Sequence, residues 1–160
     1  MSRDVQGIKD ALIDLRNSTE EIRTLQDLID RYQERLEGLG AKIITDMPRS
    51  PSPDHDRITV ALSEKIALEK ELDDVLGTRK KMMDHIKKVI KKLRDPRERA
   101  VIRLMYLYGT PEDKWEDVCF QMFQDRRDYW ERKDSYLRRT FEIHQRALEH
   151  MAEIELRRRQ

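Results

Sequence analysis

The sequence predicts an all-α protein: an N-terminal antiparallel helical hairpin, coiled-coil-like, followed by a C-terminal helix-turn-helix domain. Three observations carry that expectation. Apolar residues fall seven apart from Ile8 through Leu15, Ile22 and Ile29 to Leu36, which tracks one face of a slightly supercoiled helix. Five glycines and five prolines in 160 residues leave little turn chemistry for a sheet. Helix-start signals recur at Asp95-Pro96 and Thr110-Pro111, where a capping side chain precedes a proline and then an acid.

The first helix also places Val5 and Leu12 on its seam, and Leu25, Leu28 and Tyr32 take over as the stripe drifts. The stretch "GLGAKIITDMPRSPSPDHD" then brings Gly38, Gly40 and three prolines, which should end the helix and form a Pro/Ser-rich connector at about 38–55. A second periodic segment is expected from near Asp56 to Leu93, with Ile58, Leu62, Ile66, Leu72, Val75 and Leu76 on its early seam. Met83, Ile86, Ile90 and Leu93 continue it. Residues 1–94 thus read as the hairpin, with one seam per helix covering the pair poorly on all sides. Self-association as a homodimer is one use of such a surface, and a plain spacer is the other. The run "RKKMMDHIKKVIKKLR" could suit a membrane surface, but it keeps phase with the preceding seam and reads as a basic-faced coiled-coil helix.

Composition narrows the partners. The chain is 38% hydrophobic and 41% charged, which suits narrow apolar seams on long helices. Its net charge of +1 hides an asymmetry. Residues 1–78 hold 11 Lys and Arg against 17 Asp and Glu, while residues 79–160 hold 22 against 15. A basic C-terminal half points to an anionic partner. The single cysteine, Cys119, excludes an internal disulfide framework and a cysteine-built zinc site; no metal and no cofactor is expected. With no signal peptide and no apolar run approaching ~18 residues, a cytoplasmic protein without a membrane partner is expected.

The second domain is expected over 95–160. Asp95 can accept from free amides, Pro96 fits the first helical position, and Glu98 can reach back as a capping-box partner. The helix carries Val101, Ile102, Leu104, Met105 and Leu107 and should close at Gly109. Thr110-Pro111-Glu112-Asp113 opens the next, with Trp115, Val118, Cys119 and Met122 on one face. After "FQDRRDYWERKD", Asp134 or Ser135 can cap a last helix whose stripe is Leu137, Phe141, His144, Leu148 and Met151. His144 reads as a satisfied core histidine, Cys119 as a small core residue, and Trp130 with Tyr129 as a packing cluster over the loop. Two short helices, a connection and a basic third helix make a helix-turn-helix arrangement, in which the third helix lies in the major groove.

The segments "DPRERAVIRLMYLYG", "WEDVC" and "SYLRRTFEIHQRAL" resemble the C-terminal half of the ArpU/RinA-like late-transcription regulators of phages and prophages in Gram-positive bacteria. That half is similar to region 4 of bacterial sigma factors. Arg99 to Gly109 match its first helix, Trp115 to Val118 its second, and Leu137, Arg138, Phe141, Ile143, His144, Arg146, Ala147 and Leu148 its third. Three departures stand out. The turn at about 123–134 is lengthened by about ten residues, Ser135 and Tyr136 stand in swapped order, and Thr140 replaces a buried valine.

The resemblance implies a phage- or prophage-type transcription regulator that binds duplex DNA in the bacterial host cytoplasm. Tyr136, Arg138 and Arg139 are then expected at base edges or phosphates, with Glu142 and Gln145 on the same surface. Arg97, Lys114, Arg126, Arg127 and Arg146 would meet phosphates. The alternative is a protein-interaction module that contacts RNA polymerase or another helical partner without DNA affinity of its own. Enzymatic motifs are lacking: the sequence has no P-loop, GxSxG elbow, HExxH or glycine-rich dinucleotide turn, and its carboxylates are spread over helix surfaces.

Overall fold

A computed structural model describes the backbone of residues 2–45 and 53–160 and the side chains of residues 2–39 and 55–160. Among them every regular element is helical. Two long helices, α1 (Arg3–Thr45) and α2 (Pro53–Lys92), precede α3 (Pro96–Ile102), a π-helical turn (Arg103–Leu107), α4 (Trp115–Phe123) and α5 (Lys133–Arg159).

The long helices run further than their breakers suggested. Gly38 and Gly40 do not end α1, which continues to Thr45. An interior glycine costs a helix only about 1 kcal/mol, too little to outweigh a continuing ladder. Pro53 sits at the first position of α2, where its missing N–H is no loss. The expected Pro/Ser-rich connector is thus shorter than drawn, and what remains of it, residues 46–52, lies outside the described residues.

The chain forms two compact units, one of Met1–Glu20 with Arg79–Gln160, the other Glu21–Thr78. The expected boundary after residue 94 marks the end of α2 rather than a division of compactness. Among the described residues of the smaller unit, only Leu25, Ile29 and Ala61 are buried, while Val60, Leu62, Ile66 and Leu76 are exposed. Leu62, Ile66 and Leu76 were expected on the seam of α2. The covered positions run instead through Ile58, Ala61, Lys65, Leu68, Leu72 and Val75, an unbroken alternation of three and four. That register continues in the larger unit through Arg79, Met82, Ile86, Val89 and Leu93.

The larger unit holds the main core. Val5, Leu12 and Leu15 of α1 and Ile86, Val89, Ile90 and Leu93 around the end of α2 join one cluster with residues of α3, α4 and α5. The first of the short helices opens as expected, with the Arg97 amide donating to Asp95 Oδ1 at 2.8 Å. Glu98 does not close a capping box. It is buried, and its carboxylate accepts from His150 Nδ1 at 2.8 Å. Past Ile102 the helix widens, and the Tyr108 amide donates to the Arg103 carbonyl. The wider turn brings three consecutive side chains, Met105, Tyr106 and Leu107, into the core. Gly109 follows without a left-handed φ. It is needed for space, since a Cβ there would lie 2.5 Å from the Met105 carbonyl oxygen and 2.7 Å from that of Leu104.

Residues 110–113 form a turn, and α4 starts later than expected, where the Lys114 amide donates to Asp117 Oδ2 at 2.9 Å. The turn is fixed from α1. Arg16 Nε donates to the Thr110 carbonyl at 2.8 Å, and its Nη2 donates to those of Pro111 at 2.7 Å and Asp113 at 3.0 Å. Nearby, Arg79 Nη1 donates to the Leu15 carbonyl at 2.6 Å. The Arg16 fork thus reaches three carbonyls outside any helix ladder, of which that of Thr110 also accepts the Asp113 amide at 3.0 Å. Arg16→Ala should lower unfolding free energy by about 2 kcal/mol in urea titrations, and Arg16→Lys should recover little of it, because an ammonium cannot span the three acceptors. An unchanged midpoint in both variants would show that the turn holds without the clamp.

Candidate nucleic-acid interface

The candidate surface lies on α5, so what buries one side of that helix decides what the other presents. Thr140, Ile143, His144, Ala147, Leu148, Met151 and Ala152 are buried, and α3 and α4 both pack on α5. This differs from the expected stripe. Leu137 is half-buried and Phe141 is 43% exposed, resting on the Trp115 ring at 5.2 Å between centroids. The helix is rotated toward Thr140 and Ile143, which keep the spacing of three and four with the later positions. Thr140 fits because its hydroxyl donates to the Tyr136 carbonyl at 2.9 Å, leaving no unsatisfied group in the core.

His144 is a satisfied core histidine, its Nε2 lying 2.8 Å from the Tyr106 hydroxyl. The Trp115 ring meets it edge-on at 4.6 Å. Burial first, and then the charge of Lys9, push its pKa down to about 4. Burial also raises Tyr106 to about 12. Both groups are therefore neutral at pH 7.

The lengthened turn, residues 124–132 between α4 and α5, is a chain of tight turns seated on aromatic rings. Tyr129 is 1% exposed and its hydroxyl faces Cys119 Sγ at 3.9 Å. Tyr136 stacks on Tyr129 at 5.8 Å and tilts against Phe123 at 5.0 Å. Its hydroxyl donates to Asp128 Oδ1 at 2.7 Å, which holds the Asp128 carboxyl below its usual range and raises the phenol. Trp130 stands 73% exposed on Phe120 and Tyr129. The last helix takes no side-chain cap from Asp134 or Ser135, because it starts at Lys133 and the Arg132 and Tyr136 amides find carbonyls in the preceding turn.

Of the expected contact residues, Arg138, Arg139, Glu142 and Arg146 are exposed along the outer face of α5. Gln145 lies among them with its Nε2 donating to Glu149 Oε1 at 2.9 Å. The Arg139 guanidinium sits 5.9 Å over the Phe123 ring. Arg139, Phe141, Glu142, Gln145 and Arg146 line one shallow depression. Tyr136 is not part of this surface, since its ring and hydroxyl are both engaged under the connector. Lys114, Arg126 and Arg127 are exposed on other segments and do not border the depression, nor does Arg97 at the start of α3. Sequence reasoning missed Phe141, counted as core, and the Glu98–His150 contact. No local signal links residues 52 apart.

Among the described residues no group of His, Cys, Asp and Glu is placed to hold a metal ion, and no helix is long and apolar enough to cross a membrane. No family model, no curated protein and no solved structure matches this chain.

The depressed His144 sets a pH dependence. Between its ordinary value of 6.5 and about 4, the unfolded chain binds a proton that the folded one refuses. Stability from this residue is therefore present at pH 7, falls as pH drops through that window, and levels off below it. The loss should be on the order of 3 kcal/mol. Urea titrations at pH 7 and pH 4.5 on the wild type and His144→Gln check it. The variant should be weaker at pH 7 and lose less on acidification; an identical loss in both would remove His144 as its source.

Proposed function

We propose that this chain is a transcription regulator that binds duplex DNA through the outer face of α5, in a sigma region 4-like helix-turn-helix of the phage and prophage type. One observation carries the reading: the two sides of α5 are chemically opposite. Thr140, Ile143, His144, Ala147, Leu148, Met151 and Ala152 hold the helix to the core, while Arg138, Arg139, Glu142 and Arg146 face solvent with the half-buried Gln145 among them. Arginine can grip guanine O6 and N7 bidentately and glutamine can pair with adenine, so this face has the donors that major-groove reading uses. Arg138 and Arg139 are the proposed base-edge residues. Arg126 and Arg127 on the connector, and Lys114 before α4, are proposed to take phosphates.

A second reading, an interaction module that holds RNA polymerase or another helical partner, is favoured by the apolar side chains the protein leaves in water. Leu62, Ile66 and Leu76 on α2 suit a helical partner or a second copy of the hairpin, and Trp130 on the connector suits a protein surface.

Binding of the full chain to short duplexes cut from its own genomic neighbourhood, at two salt concentrations, separates these readings. One duplex should be held far more tightly than the rest. Arg138→Ala/Arg139→Ala should lower that affinity at least about tenfold and abolish the preference, since each good base contact is worth about 1–3 kcal/mol. Arg126→Ala/Arg127→Ala should weaken every duplex alike and reduce the salt slope by about two. No retention on any duplex at low salt would overturn DNA binding and leave the interaction module.

A further inference from the structure

A cleft of about 450 Å³ opens between the end of α2, the start of α3 and the flank of α5. Four cations line it: Arg157 of α5, which lies beside Glu153, and three from separate segments, Lys92 at the end of α2, Arg94 between α2 and α3, and Arg146 on α5. Lys92, Arg94 and Arg146 are exposed, and none of their side chains has an ion-pair or hydrogen-bond partner among the described residues. Lysine near a helix C-terminus is favoured by the helix dipole alone, so Lys92 by itself would mean little. Arg94, two residues further on, shares that reason, but Arg146 within α5 does not.

Two of the three acids at the cleft, Asp95 and Glu98, have close hydrogen-bond partners. Asp95 accepts the Arg97 amide at 2.8 Å. Glu153 lies 3.9 Å from Arg157. Glu98 is held by His150, and its side chain is 3% exposed against 52% for the histidine, so solvent meets the ring rather than the carboxylate. The cleft thus presents three unpaired cations to water, keeps the Glu98 carboxylate covered, and leaves Glu153 exposed beside Arg157. Arg146 also lines the shallow depression on the outer face of α5, which makes the two features neighbours.

We propose that this cleft is a phosphate site: Lys92, Arg94 and Arg146 hold a backbone phosphodiester of the duplex whose bases meet the outer face of α5. The inference rests on the DNA-binding reading and adds to it residues from α2 and the α2–α3 junction. Arg146 is the hinge of the arrangement, because it borders both surfaces. A phosphate held here is a positioning contact. It fixes where the strand runs relative to α5 and carries no sequence information.

The test is fluorescence anisotropy of the full chain on two labelled duplexes of unrelated sequence, titrated across salt. Lys92→Ala/Arg94→Ala should weaken both duplexes equally and reduce the slope of log affinity against log salt by about two; Arg146→Ala should reduce it by about one. Lys80→Ala/Lys81→Ala removes the same charge from exposed positions on α2 outside the cleft and should leave the slope unchanged. Thermal unfolding of each variant checks that the fold is intact, as expected for exposed side chains. Wild-type binding with one slope shared by the cleft and control variants would overturn the cleft alone. Absence of wild-type binding to either duplex at low salt would overturn the DNA-binding reading, and this inference with it.

Discussion

The buried face of α5 is the constraint on which the larger unit depends. Its buried residues, from Thr140 and Ile143 to Met151 and Ala152, must be covered, yet α3 has seven residues and α4 nine, too few to enclose a helix of twenty-seven. The missing apolar surface comes from the beginning of α1 and the end of α2, which contribute Val5, Leu12, Leu15, Ile86, Val89, Ile90 and Leu93 to the same cluster. A small three-helix domain would be marginal alone, because its buried fraction is low. Once α1 is recruited, its polar side chains can serve too, and Arg16 satisfies the 110–113 turn that connects the short helices.

How much of this was legible in the sequence follows from how local each signal is. Helical class, the order of the elements and the Asp95 cap depend on neighbours within a few residues, and all could be read. The seam of α2 was misread because Ala61, Lys65 and Arg79 occupy three of its positions while Leu62, Ile66 and Leu76 lie exposed. Hydrophobicity alone chose the larger side chains. Arg79 belongs there because its guanidinium finds the Leu15 carbonyl, a partner 64 residues away. The same limit explains Glu98, drawn as a cap and found with His150, and Tyr136, drawn toward DNA and found on Asp128. The outer residues of α5 were legible because exposure of charge needs no partner.

The lengthened connector has a structural role that its polarity conceals. Tyr129 and Tyr136 anchor it from inside, and Asp128 ties its last turn to α5. Such anchoring leaves Arg126, Arg127 and Trp130 outside on a fixed support. The connector therefore extends the solvent-facing chemistry of the larger unit without loosening the attachment of α5 to α4.

Polar groups in the core fix the rotation of α5, and with it the identity of the outer face. An apolar stripe alone tolerates some rotation, because leucine and methionine pack adaptably. Thr140 does not resist such rotation, since its hydrogen bond stays within the helix. His144 does, because its partner Tyr106 sits on another element and both rings are buried. Turning α5 by one residue, about 100°, would strand the imidazole and the phenol without partners, at a cost of about 1–3 kcal/mol for each group. It would also carry Arg138 and Gln145 toward the flank and bring other residues outward. The Tyr106–His144 contact thus lies in the core, yet it decides which arginines α5 presents to solvent.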